Sequence, residues 1–323
     1  MWNHLAKPEL GFMNTVSEAF AGAQLRDPDL FPDFRSSRSL IVASDYGGMH
    51  KASRFESYSY LVTNTQSLST WDESRLIVRH RYHLMKRRFE FKKLGDRRKL
   101  VALLPFLCAA SDLFGICVTI LVSKRVESLF RAEGRMDLTS PELAGYAEYG
   151  TLGFERMLRA VHFFGFLLRG LSSPGQDVLW VTDQEDFAVS RERIIRLNEI
   201  AANVTSHYLP HDMGKLRCGT TQSDDGSLCI EDLAAIPDLV AGATSELLSA
   251  YESDGIALRK LLITPAPARL SRKARAIMMW SADPWPRLGH LAYTIRLGDS
   301  GTLAGQQVLL HAVAPPNMPW PTS

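Results

Sequence analysis

Seven residues, Ser39-Leu-Ile-Val-Ala-Ser-Asp45, run straight into Tyr46-Gly47-Gly48 and leave a lone carboxylate where an apolar stretch ends and the chain must turn. A continuous apolar run of this length predicts a strand covered on both faces, and paired glycines relax the steric limits that a Cβ imposes. A carboxylate fixed there on rigid scaffold is placed where metal-dependent phosphoryl transfer needs its first ligand. The alternative is that Asp45 only begins the turn, since Asp and Gly are ordinary turn residues. Asp177-Val-Leu-Trp-Val-Thr-Asp183 repeats the pattern, and Ile116-Cys-Val-Thr-Ile-Leu-Val122 leads into Ser123-Lys124. For Asp183 the alternative is a cap on the helix that follows.

The elements that must position these groups follow from periodicity and punctuation. Arg54 to Thr63 is rich in aromatic and β-branched residues and predicts a strand in a hairpin with the first. Residues 64–74 read as a polar loop, 75–88 as a basic helix, and Arg88-Phe-Glu-Phe-Lys92 as a third strand. Helices are expected over 96–113, 141–171, 190–208 and 232–251, with strands at 116–122, 177–183 and 215–218. This order predicts a mixed α/β sheet of five strands flanked by helices. The first, fourth and fifth strands then run parallel, because each of the last two is reached through a helical crossover. Their C-terminal ends share the edge where open sheets bind ligands, which places Asp45, Lys124 and Asp183 together.

Residues 1–37 read as an arm with one short helix near 14–25, and 38–255 as the main domain. Beyond 256, prolines alternate with strand-like runs at Ala276–Trp280, His290–Arg296 and Gln307–His311, which predicts a small β-rich extension with a Pro-rich tail.

At 323 residues and 46% hydrophobic content the chain can bury a large core, which excludes a disordered protein. The net charge of +2 conceals a strongly basic stretch from Arg75 to Lys99, interrupted only by Glu90 and Asp96. Clustered cations of this kind give sequence-blind, salt-dependent affinity for nucleic acid. The candidates are Arg87, Arg88, Lys92, Lys93, Arg97 and Arg98, with Lys124 as a further phosphate contact; a solvated or partner-binding face is the alternative. Four scattered cysteines form no CxxC pair and no disulfide framework, and the N-terminus lacks the pattern of a signal peptide, so a reduced, cytoplasmic setting is expected. Residues 100–122 are apolar enough to suggest a membrane span, but Pro105, Gly115 and a central Asp112 favour a helix, a turn and a buried strand. No P-loop, GxGxxG or GxSxG motif occurs, and Pro210 interrupts the His207/His211 pair, which argues against a zinc site.

Three segments in order carry a family resemblance: Ile41-Val-Ala-Ser-Asp45-Tyr-Gly-Gly, Leu179-Trp-Val-Thr-Asp183-Gln-Glu-Asp186, and Ile230-Glu-Asp232-Leu-Ala-Ala-Ile-Pro-Asp238-Leu-Val-Ala-Gly242. The chain resembles the ribonuclease H-like superfamily over roughly residues 39–252, and more narrowly the bacterial family catalogued as domain of unknown function 3800. That family usually follows its first Asp with Glu and Ser, where this chain has Tyr46 and Gly47, and Asp238 here follows Pro237. The resemblance implies a nuclease that uses Mg²⁺ or Mn²⁺ to hydrolyse phosphodiesters of DNA or RNA, in mobile-element or phage-defence biology. The alternative is an inactive scaffold of the same fold that binds nucleic acid or a protein partner in a larger assembly. In the active case Asp45 would bridge two metal ions and Asp183 and Asp238 would each hold one side. Glu90 would add a fourth carboxylate or order a metal-bound water, unless it only neutralises Arg88 or Lys92. For Asp238 the alternative is a favourable interaction with a helix dipole.

Overall fold

The structure is a computed structural model that describes residues 2–51, 53–131, 136–140, 143–183, 188–254, 262–263, 269–282 and 287–310. The expected hairpin is present: β1 (Ser39–Gly47) and β2 (Phe55–Asn64) pair antiparallel, with Asp45 opposite Ser59. β3 (Gly115–Ser123) is antiparallel to β2, β4 (Asp177–Thr182) lies parallel beside β1, and β5 (Leu216–Thr220) parallel beside β4. β6 (Leu262–Ile263), β7 (Leu288–Leu297) and β8 (Leu303–Leu310) complete a mixed sheet in the order β5-β4-β1-β2-β3-β7-β8-β6.

Side-chain alternation divides the sheet between two cores. Leu40, Val42 and Tyr46 face α1 (Phe12–Arg26), α4 (Gly150–Leu171) and α5 (Arg191–Tyr208). Ile41 and Ala43 face α2 (Leu68–Arg81), α3 (Arg97–Ala110), α6 (Cys229–Ser253) and α7 (Arg272–Ser281). Asp45 falls in phase with the second set and is buried. Trp2 packs among Phe20, Phe31 and Phe166 of α4, and β7 pairs with β3, so residues near both ends of the described chain share this core and sheet.

Several sequence expectations change. The sheet has eight strands among the described residues rather than five. Residues 88–92 form no strand: the place beside β2 belongs to β3, β3's other edge is taken by β7, and the segment closes in a single 3₁₀ turn, Phe91–Lys93. The Ala276–Trp280 run is helical. Its period becomes visible when Ala274, Ile277, Met278 and Ser281 are read together as the buried stripe, with Ser271 accepting the Ala274 N–H as N-cap. The polar stretch after β2 is short, because α2 already begins at Leu68.

The 100–122 region is the end of α3, a turn and β3, and Asp112 accepts the Ser74 hydroxyl at 2.7 Å. One helix among the described residues, α6, is long and apolar enough to cross a bilayer; 72% of its apolar window is buried against the sheet, as befits a core helix.

Candidate functional site

β1 and β4 are in parallel register to their last pair, Ser44 beside Thr182, so Asp45 and Asp183 are the next residues on neighbouring strands. α6 lies over this end of β1. A Cβ on Gly47 would stand 2.7 Å from Ser57 Oγ and 3.7 Å from the Ala241 methyl, and one on Gly48 3.1 Å from Ser245 Oγ. The tightest of these approaches is to β2, and the Gly47 and Gly48 backbones lie beneath Ala241 and Ser245 of α6, the helix that carries Asp238 about one turn earlier.

Asp238 accepts the Phe91 backbone N–H at 2.7 Å. Its pKa is pushed up to about 6, chiefly by burial, with the charges of Asp183 and Glu90 adding to the rise and the Phe91 N–H and Lys92 opposing it. Asp183 also receives a 3.4 Å hydrogen bond from Thr221 Oγ1. Three sequence-derived candidates, Asp45, Asp183 and Asp238, therefore share one region, with Glu90 at its margin. Glu90 arrives there on a loop rather than on a third strand, and it pairs with Lys93 at 2.8 Å.

Glu231 also belongs to this region, and the sequence reading passed over it. It is buried, bonds Arg88 at 2.6 Å, and has a pKa raised by burial, with the charges of Asp224, Asp183 and Asp232 adding to the rise against Arg88. Its signal was the seven-residue spacing from Asp238, two turns along one helix face. Asp183 thus raises the proton affinity of carboxyls on two successive parts of α6, and excess buried negative charge of oxygen donors is what a hard divalent cation relieves. Among the described residues no three His, Cys, Asp or Glu side chains are grouped tightly enough to hold an ion as they stand. Gln184 to Phe187, including Asp186 of the second motif, lie outside the described residues.

The departure at Tyr46 has a structural use. Its side chain points into the opposite core, where its hydroxyl bonds Ser44 Oγ at 2.8 Å and Thr182 Oγ1 at 3.3 Å; burial raises its pKa far above the ordinary phenol value. Pro237 sits inside α6 with Asp238 directly after it.

The basic run separates into three kinds. Arg75 and Arg79 are buried: Arg79 grips Asp232 with Nε at 2.6 Å and Nη2 at 2.5 Å, and Arg75 adds a 3.2 Å contact. Asp232, in the third motif, thus anchors α2 to α6. Arg87 pairs with Asp96, Arg88 with Glu231 and Lys93 with Glu90. Lys92, Arg97 and Arg98 are exposed and have no ion pair among the described residues. Lys124 donates to the His50 carbonyl at 2.7 Å and so ties down the β1–β2 connection; β2 and its hydrogen bonds separate it from β1. Phe89 is core, stacked on Phe106 with centroids 4.2 Å apart, and Phe91 packs where a Cβ on Gly242 would stand 2.4 Å from its ring.

No family model matches the chain, and no curated protein matches it.

Proposed function

We propose that the chain is a ribonuclease H-like nuclease that hydrolyses phosphodiesters with Mg²⁺ or Mn²⁺ at Asp45, Asp183 and Asp238. The observation that carries this reading is the adjacency of Asp45 and Asp183 at the ends of neighbouring parallel strands, beneath the helix that bears Asp238. A divalent ion there would be held by aspartate oxygens and would supply charge stabilisation to a phosphodiester. Glu231 joins Glu90 as a carboxylate able to hold the outer side of such an ion or its water. Arg88, 55% exposed in its pair with Glu231, and exposed Lys92 are the cations placed to meet phosphate.

Binding of nucleic acid or a partner protein without cleavage is the second reading, supported by the exposed cations Lys92, Arg97 and Arg98. Labelled single-stranded, duplex and hybrid substrates incubated with Mg²⁺, Mn²⁺ or EDTA separate the two. Cleavage that needs the metal and disappears in Asp45→Asn and Asp183→Asn is the expected outcome. Equal behaviour of wild type and Asp45→Asn on every substrate leaves only the binding reading.

A further inference from the structure

The exposed cations divide again by place. Arg81 and Tyr82 at the end of α2, His83 just beyond it, and Arg97, Arg98 and Val101 on the first turns of α3 line one cleft of about 400 Å³. Among the described residues no acidic side chain lines it. Asp96, the nearest acid in sequence, is committed elsewhere: it accepts the Arg98 and Lys99 backbone N–H groups and pairs with Arg87. Arg81, Arg97 and Arg98 have no ion pair among the described residues, and the Arg81 guanidinium lies over the Tyr82 ring at 5.9 Å.

The cleft wall is held in an uncommon conformation. His83 has φ 55°, a left-handed backbone that an L-residue with a Cβ seldom adopts and that glycine ordinarily fills after a helix. Its neighbours fix it: the Leu84 N–H bonds the Arg79 carbonyl at 2.8 Å, and the buried Arg79 guanidinium donates to the carbonyls of Leu84 and Arg87. A side chain is kept at a position where glycine would be easier, and His83 lines the cleft together with Arg81, Arg97 and Arg98.

Resting on the nuclease reading for the class of ligand, we infer that this cleft is a second phosphate-binding site, which anchors a single-stranded nucleic acid at a distance from the carboxylates. Three cations neutralise successive phosphates, and Tyr82 offers a face on which an unpaired base stacks. The space suits one strand rather than a duplex. Arg88 lies five positions after His83, a span of at most about 18 Å, so a strand seated in the cleft reaches Arg88 and Glu231 within a few phosphates.

The test uses the full chain carrying Asp45→Asn, so that no cleavage intrudes, with Arg81→Gln, Arg97→Gln and Arg98→Gln combined. Anisotropy of a labelled 20-nucleotide single strand is followed over a salt titration, with the thermal midpoint as a check that these surface changes leave the fold intact. The expected result is roughly tenfold or greater loss of affinity at low salt and a salt slope shallower by about two. Tyr82→Leu, which keeps every charge, is expected to weaken the single strand several-fold and leave duplex binding unchanged. Wild-type affinity and slope in the triple variant overturn the site. Tyr82→Leu weakening duplex and single strand alike, or anionic vesicles competing as well as the oligonucleotide, overturns the single-strand assignment. Loss of binding in the triple variant, with no metal-dependent cleavage by the unmodified chain, leaves the cleft standing and removes the nuclease reading; cleavage with unaltered binding does the reverse.

Discussion

Asp238 is a carboxyl whose ionisation works against the fold. Its pKa of about 6 lies above the ordinary 3.8, so the folded state holds the proton more tightly than the unfolded chain does. That contribution is fully present below about pH 4 and is lost as pH rises through 6. Asp238→Asn keeps an acceptor for the Phe91 N–H and removes the charge, and should stabilise the protein at pH 8 by about 2 kcal/mol, with little change at pH 4. Urea unfolding at the two pH values measures it. If Mg²⁺ or Mn²⁺ binds, it should raise the wild-type midpoint at pH 8 and raise that of Asp238→Asn much less. His162 acts with opposite sign: burial pushes it down to about 4, so its contribution, present above about 6.5, is lost as pH falls toward 4. Neither shift was legible in residue types alone, since each needs the enclosure and the neighbouring charges that the fold brings.

At the scale of elements, the buried Asp232 with Arg79 and Arg75 joins α2 to α6 and sets the path of residues 82–93. Those residues deliver Arg88 to Glu231 and the Phe91 N–H to Asp238. Asp232→Ala should destabilise by about 3–5 kcal/mol, because it strands a fully buried guanidinium. Replacing Asp232 by Leu together with Arg79 by Met should recover much of that loss in chemical denaturation. Recovery of stability without recovery of nucleic-acid binding would assign the pair a positioning role for the 82–93 segment. In the sequence these arginines were indistinguishable from surface cations. A 3.6-residue period shows which helix face a residue occupies, while burial of that face depends on what packs against it.

Over the whole molecule, both ends of the described chain contribute to the sheet and cores around the candidate site. Trp2 lies among Phe20, Phe31 and Phe166, and its indole N–H bonds Ser17 Oγ at 3.1 Å. Trp2→Ala should cost about 3–5 kcal/mol, read as a lowered thermal midpoint, although it is only the second residue. The sequence by itself determined the β1–β2 hairpin, β3, β4, β5 and most helices, together with the parallel sense that puts Asp45 and Asp183 at one end of the sheet. Apolar period and turn residues are local, and the crossover rule converts their order into direction. Only the tertiary structure decided that residues 88–92 leave the sheet, that Glu231 joins the carboxylates, and which arginines are buried, paired or exposed. These outcomes depend on competition for sheet edges and on pairing across more than a hundred residues, and no window of sequence contains both partners.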